Sequence, residues 1–397
     1  MTDQQRPDQP IGTTFQADRV LTIAAGHMLH DTYTGFLAPL LPVFIANLGL
    51  SKAQAGALTI FQQGPSLLQP AIGHLADRFN LRHLVFLGPA IAAVMMSLLV
   101  IAPSYMVLVL LLTVVGLSSA GFHAVGPAVA GQLSGRRLGQ GMSFWMVGAE
   151  VARTFSPLIV VTALHLLTIR RLPWLMLIGL LGAALLYARL KDVPFQLTTT
   201  EQPAPWKEAL LSMRRVMLPL AGVLTLRAFL VAALTTHLPI LISEEGSDLW
   251  LAGASLSLVQ GGGAIGVLVA GSLSDRLGRK PTILATLLIA PPLLLLFLAI
   301  KGWLRLPLLF LLGFTTLSNN PVMMAMVQES FPSNRAMANG MYLAMTFVSS
   351  SIMAVLVGML GDLFGLRLAF TISALAPLLG VPLILLLPGG REQVSRA

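Results

Sequence analysis

Apolar runs long enough to cross a bilayer follow one another along almost the whole chain. A helix needs about 20 predominantly apolar residues to span the hydrocarbon. Twelve such segments are read from the sequence: 19–47, 52–76, 82–102, 105–133, 138–168, 172–190, 215–243, 249–275, 281–300, 304–329, 334–362 and 365–388. Only 10% of the residues are charged, against about 25% in soluble domains. A mean hydropathy of +0.81 rules against a large soluble core. Lipid offers no water to satisfy peptide groups, so the expected fold class is an all-α membrane protein with twelve transmembrane helices.

The formal charge of +9 could suggest a nucleic-acid partner. The Lys and Arg residues, however, sit between apolar runs rather than on one soluble face. They orient the chain instead. With both termini in the cytoplasm, thirteen of them fall on inner loops and six on outer loops; Arg170–Arg171 is the one discordant pair. The loop carrying Glu244, Glu245 and Asp248 is acidic and suits the outer side. No Cys is present, so no disulfide or thiolate metal site forms. Residues 1–18 are polar, carry Pro7 and Pro10, and lack the basic-then-apolar order of a cleaved signal, so the first span is expected to serve as its own targeting signal. The one long interior linker, 191–213, holds Pro194, Pro203 and Pro205. The division expected is a tail (1–18), a six-helix bundle (19–190), a cytoplasmic linker (191–213), a second bundle (214–388) and a tail (389–397).

Two short loops repeat half a chain apart. Gly271-Ser-Leu-Ser-Asp275-Arg276-Leu-Gly278-Arg279-Lys280 answers to Gly73-His-Leu-Ala-Asp77-Arg78-Phe-Asn-Leu-Arg82, with Asp77 and Asp275 198 residues apart. Self-similarity at this period marks a duplicated bundle. Proline repeats likewise: Pro39 answers to Pro239 and Pro127 to Pro321. Bending for a conformational cycle and the general abundance of Pro in membrane helices both account for these pairs. The G-x-x-x-D-R-x-G-R-K pattern resembles the cytoplasmic loop motif of the major facilitator superfamily; the first copy departs at Asn80 and Leu81. The resemblance implies two pseudo-symmetric six-helix bundles rocking about a central cavity. It also implies that Asp77, Arg78, Asp275, Arg276 and Arg279 act as gating charges at the inner face. Physically, a carboxylate at one helix end can meet the positive N-terminus of another.

Ionisable side chains at mid-bilayer are costly, so each is a functional candidate. His27 and Asp31 are four apart on the first span and share a face. Asp31 reads either as a carboxylate that takes and releases a proton or as one member of a static brace. Glu150 and Arg153 are three apart on the fifth span. They read either as an intrahelical ion pair or as a titrating carboxylate beside an anion-binding Arg. Arg227 has no acid within a turn of its own helix, so it should find Asp31, Glu150 or an anionic ligand across the cavity. His123 lies in a small-residue seam and is either a packing residue or a proton carrier. His165 and His237 are read as structural.

A closer resemblance rests on Ser118-Ser-x-x-Phe122-His123, Met142-Ser-Phe-Trp-Met-Val-Gly148, Pro157-Leu, and His27 with Asp31 before Leu40-Leu-Pro42. These stretches look like the fosmidomycin-resistance branch of the superfamily, whose members export small drugs at the expense of protons. Glu150 and Arg153 stand where that branch carries smaller or neutral residues. The resemblance implies a monomeric exporter in a bacterial inner membrane, with protons and a small molecule as partners and no resident cofactor or metal. Proton coupling is then expected at Asp31, Glu150, His27 and His123, and substrate binding at Arg227, Arg153, Asp31 and Glu150. Protonation of Asp31 or Glu150 would free an Arg from its carboxylate and change substrate affinity. Proton-coupled uptake stays open, as does metal transport through His27, Asp31 and His123. An intramembrane enzyme would need a nucleophile motif beside the His27–Asp31 pair, and none accompanies it.

Overall fold

A computed structural model describes residues 15–76, 81–193, 206–331 and 335–387, and these residues are helical with short turns. The first half runs α1 (Ala17–Thr34), α2 (Leu37–Leu48), α3 (Lys52–Gln63), α4 (Gln69–Ala76), α5 (His83–Leu98), α6 (Tyr105–Ser134), α7 (Leu138–Leu167) and α8 (Leu175–Leu190). The second runs α9 (Trp206–Ala232), α10 (Leu238–Glu244), α11 (Leu249–Leu277), α12 (Arg279–Ala299), α13 (Arg305–Leu317), α14 (Asn319–Ser330), α15 (Arg335–Phe364), α16 (Leu366–Leu375) and α17 (Val381–Leu386). Among the described residues, ten helices are long and apolar enough to cross a membrane.

The expected spans 19–47 and 52–76 are not among those ten, and each changes course part-way. Between α1 and α2, Pro39 has no N–H to offer the carbonyl of Gly35, and the helix parts there. Pro65 does the same to α3, which tightens into a 3-10 segment over Gly64–Leu68 before α4. Pro239 repeats the device in the second half: the π-helical turn Ala233–His237 lies just before it, where the Thr235 carbonyl loses its donor. Pro321 follows the break between α13 and α14, whereas Pro127 lies inside the unbroken α6.

Two seams join the halves, α3 against α15 and α7 against α11. Gly56 lets α3 lie against α15; a Cβ there would stand 2.8 Å from the carbonyl carbon of Ala354. At this end one apolar core, including Phe36, Leu58, Leu234, Phe297, Val357 and Phe370, runs through both halves. At the other end the core divides. Val20, Ile23, Phe122 and Trp145 form one cluster, while Met213, Val322, Met323 and Tyr342 form another. A core joined at one end and split at the other leaves a vestibule between the halves.

Polar latches reinforce the joined end. Lys52 pairs with Glu244 at 3.0 Å. The Asp362 carboxylate accepts from the backbone amides of Lys52 (2.8 Å) and Ala53 (2.9 Å). Trp250 donates to Thr162 at 3.1 Å. Large apolar side chains such as Leu110, Leu181, Leu268 and Leu379 are exposed on the outer surface. Lipid, not water, suits that surface.

Candidate transport site

A cavity of about 510 Å³ lies between the halves. The first half lines it with Asp31, His123, Glu150 and Arg153, and the second with Thr235, Gln260 and Asn320. The irregular turns at Gly35 and Thr235 both face it. Irregular backbone at membrane depth is tolerated where it lines a polar cavity.

Helical spacing sets one wall. His27, His30 and Asp31 stand at i, i+3 and i+4 on α1 and share a face. Close helix approach makes that face meet α6 and α7: at Gly148 of α7, a Cβ would come within 2.5 Å of the Ala24 carbonyl. His27 stacks on Trp145 with centroids 3.9 Å apart, and His30 stacks on Phe122 at 4.6 Å. The Asp31 carboxylate then sits among three imidazoles. His30 Nδ1 lies 3.0 Å from Oδ1, His123 Nε2 3.5 Å from Oδ1, and His27 Nε2 3.5 Å from Oδ2.

Carbonyl acceptors fix the tautomers. His27 Nδ1 donates to the Trp145 carbonyl at 2.9 Å, and His123 Nδ1 to the Ser119 carbonyl at 3.0 Å. Each neutral ring then offers only an acceptor at Nε2, so the two Nε2 atoms, 3.2 Å apart, hydrogen-bond by sharing a proton. Two lone pairs facing each other beside a carboxylate form a seat for a cation.

Glu150 and Arg153 pair along α7 and both reach the cavity. Of the partners expected for Arg227, neither Asp31 nor Glu150 meets it, which corrects that part of the expectation. It is buried and donates to the Thr316 carbonyl (2.7 Å) and to Asn320 Oδ1 (2.9 Å). Neutral acceptors one turn apart on the α13–α14 break thus hold its guanidinium, and Asn320 stands between it and the cavity. Asp31 likewise has imidazoles, not an Arg, as its partners.

The gating charges lie elsewhere. Asp77 and Arg78 fall outside the described residues. Arg279 pairs with Asp275 at 2.6 Å and with Glu329 at 2.7 Å, so this contact stays within the second half; Arg276 is exposed. Among the described residues, Asp362 makes a carboxylate-to-helix-N-terminus contact that bridges the halves at the opposite end. Sequence reasoning passed over His30, although its position three after His27 and next to Asp31 was the signal. His237 is buried and bonded to the Ala354 carbonyl at 2.7 Å, as a structural residue would be.

The sequence profile of the Major Facilitator Superfamily matches residues 23–304 and 257–396. The chain belongs to that superfamily. It is a multi-pass membrane transporter rather than an enzyme. It is 25% identical over 382 residues to the Fosmidomycin resistance protein of Escherichia coli (strain K12), covering 94% of this chain and 93% of that protein. An uncharacterized MFS-type transporter of Bacillus subtilis (strain 168) is 24% identical over 98% of this chain and 97% of its own length. Among solved structures, a bacterial homolog of the human lysosomal transporter Spinster, in an inward-facing and occupied conformation, superposes with a TM-score of 0.78 at 15% identity, covering 94% of this chain and 96% of that one. The D-xylose-proton symporter superposes at 0.72 with 17% identity, covering 93% and 97%. These likenesses establish the major facilitator fold.

Proposed function

We propose that the protein exports a small polar organic compound in exchange for protons, by alternating access in a bacterial cytoplasmic membrane with both termini inside. The division at 19–190 and 214–388 supplies the two rocking bodies, and the monomer is the transporting unit. The observation that carries this reading is a cavity lined from both halves, closed at one end by the seams and latches and holding ionisable groups at membrane depth. With both termini inside, the end where Gln16 bonds to Leu133 is the cytoplasmic one, and the divided core there supports an inward-facing reading. The relative named for fosmidomycin resistance supports the outward direction.

Exchange requires proton and substrate to exclude each other. Asp31 and Glu150 satisfy this as acceptors: ionised, each receives hydrogen bonds from the substrate, and protonated, each loses an acceptor oxygen. The imidazoles of His27 and His123 relay the proton to Asp31. Among the described residues, the cavity lining holds Gln62, Thr235, Gln260 and Asn320 and no Phe, Tyr or Trp, which fits a hydrogen-bonding compound better than a greasy one. The Glu150–Arg153 pair supports a second reading, uptake of an anion with a proton. A proton on Glu150 would release Arg153 to hold the anion, so both would travel together.

The test is flux in oriented vesicles against an imposed proton gradient, with Asp31→Asn and Glu150→Gln made in turn. Loss of gradient-driven export in either variant, with downhill exchange retained, supports coupling there. If neither change alters the flux, the coupling is wrong. A gradient that drives uptake instead selects the second reading.

A further inference from the structure

Three donor atoms, His27 Nε2, His123 Nε2 and an Asp31 oxygen, converge at the wall of the cavity within 4.8 Å of one another. We infer that they form a binding site for a divalent transition-metal ion of the zinc class, open to the cavity. The inference deepens the reading above, in which the same lone pairs accept a proton.

The geometry has the right size. Tetrahedral ligands about 2.0–2.1 Å from Zn²⁺ stand about 3.3 Å from each other. Here His27 Nε2 and His123 Nε2 are 3.2 Å apart, and the carboxylate lies 3.5 Å from each ring through one oxygen or the other. Little movement is needed to admit an ion. Orientation is set in advance, because the Trp145 and Ser119 carbonyls hold both Nδ1–H groups and aim both Nε2 lone pairs inward. Metal-ligating histidines are usually held in this way through the second nitrogen. His30 holds Asp31 from behind at 3.0 Å.

The ligand set of two imidazoles and one carboxylate matches borderline ions such as Zn²⁺ and Co²⁺ rather than Mg²⁺ or Ca²⁺, which prefer oxygen. His123 and Asp31 line the cavity, so an ion has a route in and the fourth position faces water or a ligand. With no Cys in the chain, no thiolate site competes for the ion.

The probe is the metal alone, added to untagged full-length protein in detergent, with Zn²⁺ followed by equilibrium dialysis and Co²⁺ by its visible absorption. One Zn²⁺ per chain and the intense visible bands of four-coordinate Co²⁺ are expected. His27→Gln and His123→Gln should each weaken binding at least about tenfold, the loss seen even when an outer-shell partner is removed. Glu245→Gln, at the joined end, should leave binding unchanged. Metal-free thermal unfolding shows which variants fold; if His27→Gln fails because its stack on Trp145 is lost, the partly exposed His123→Gln decides. Absence of saturable binding, or binding that survives the decisive change, overturns the site. Because no flux is measured, this outcome is independent of whether transport is proton-coupled.

Discussion

Asp362 of the second half accepts two backbone hydrogen bonds at the N-terminus of α3 in the first half, the shorter from Lys52 at 2.8 Å. Asp362 stands in the last turn of its own helix α15, where the macrodipole disfavours a carboxylate. The positive end of α3 offsets that cost only while the two halves are joined at this end. The contact is therefore a latch for one conformation.

Asp362→Asn should bias the protein toward opening at this end. Losing the charge from two charge-assisted bonds and a helix terminus costs about 1–2 kcal/mol, roughly a 5–30-fold shift between conformers. The natural chain has no Cys, so Thr59→Cys, buried at the cavity, gives a single reporter thiol. An impermeant thiol reagent added from the latched side should label it faster in the Asp362→Asn background. An unchanged rate would show that the latch does not set this equilibrium.

Gly56→Ala should act in the same direction by a steric route. The substitution adds up to about 1 kcal/mol of helix propensity to α3. Its Cβ, however, meets the Ala354 carbonyl across the seam. The same thiol should label faster although α3 itself is favoured. Slower labelling would mean that α15 yields and the seam is not tightly fitted.

Glu245 gives a pH signature at the joined end. Partial burial works to raise its carboxyl, but the hydrogen bond and charge of Arg305, with the charge of Arg367, outweigh it and hold the group below the usual glutamate range. Arg367 lies at 2.6 Å. A depressed carboxylate stabilises the fold above its unfolded value of about 4.3, and that contribution is lost as pH falls through the folded value. Glu245→Gln should thus lower stability at neutral pH, by less than about 1 kcal/mol for so exposed a pair, read as a lower unfolding temperature. Under strongly acid conditions the variant and the parent should converge.

Asn320→Ala should destabilise more than its size suggests. It removes one of the two acceptors named for the buried Arg227 guanidinium, a loss of about 1.5–3 kcal/mol for a hydrogen bond to a charged group. Thermal unfolding in detergent measures it. A loss under about 0.5 kcal/mol, the usual range for inert positions, would mean that water from the cavity replaces the amide.

The membrane class and most of the spans were legible because lipid imposes its demands locally. Any window of about 20 residues either can or cannot enter hydrocarbon, whatever surrounds it. The approach of His27 to Asp31 was legible for the same reason, since four residues make one helical turn. The irregular turns at Gly35 and Thr235 were half legible: Pro39 and Pro239 announced them, but Pro127, equally visible, leaves α6 intact.

Pairing between distant segments was not legible. Arg227 was open to Asp31, Glu150 or an anionic ligand, and its protein partners are Thr316 and Asn320; Asp31, read with His27, is met by His30 and His123 as well. Which side chains meet depends on where helices cross, and that is settled by small-residue contacts such as Gly148 on Ala24, far apart in the chain. The sequence by itself determined that this protein lives in a membrane as a duplicated helical transporter with a few charges carried inside. Only the tertiary structure decided that two imidazoles and a carboxylate converge, and that Asp362 is one of the latches between the halves, because both depend on crossings that no local pattern encodes.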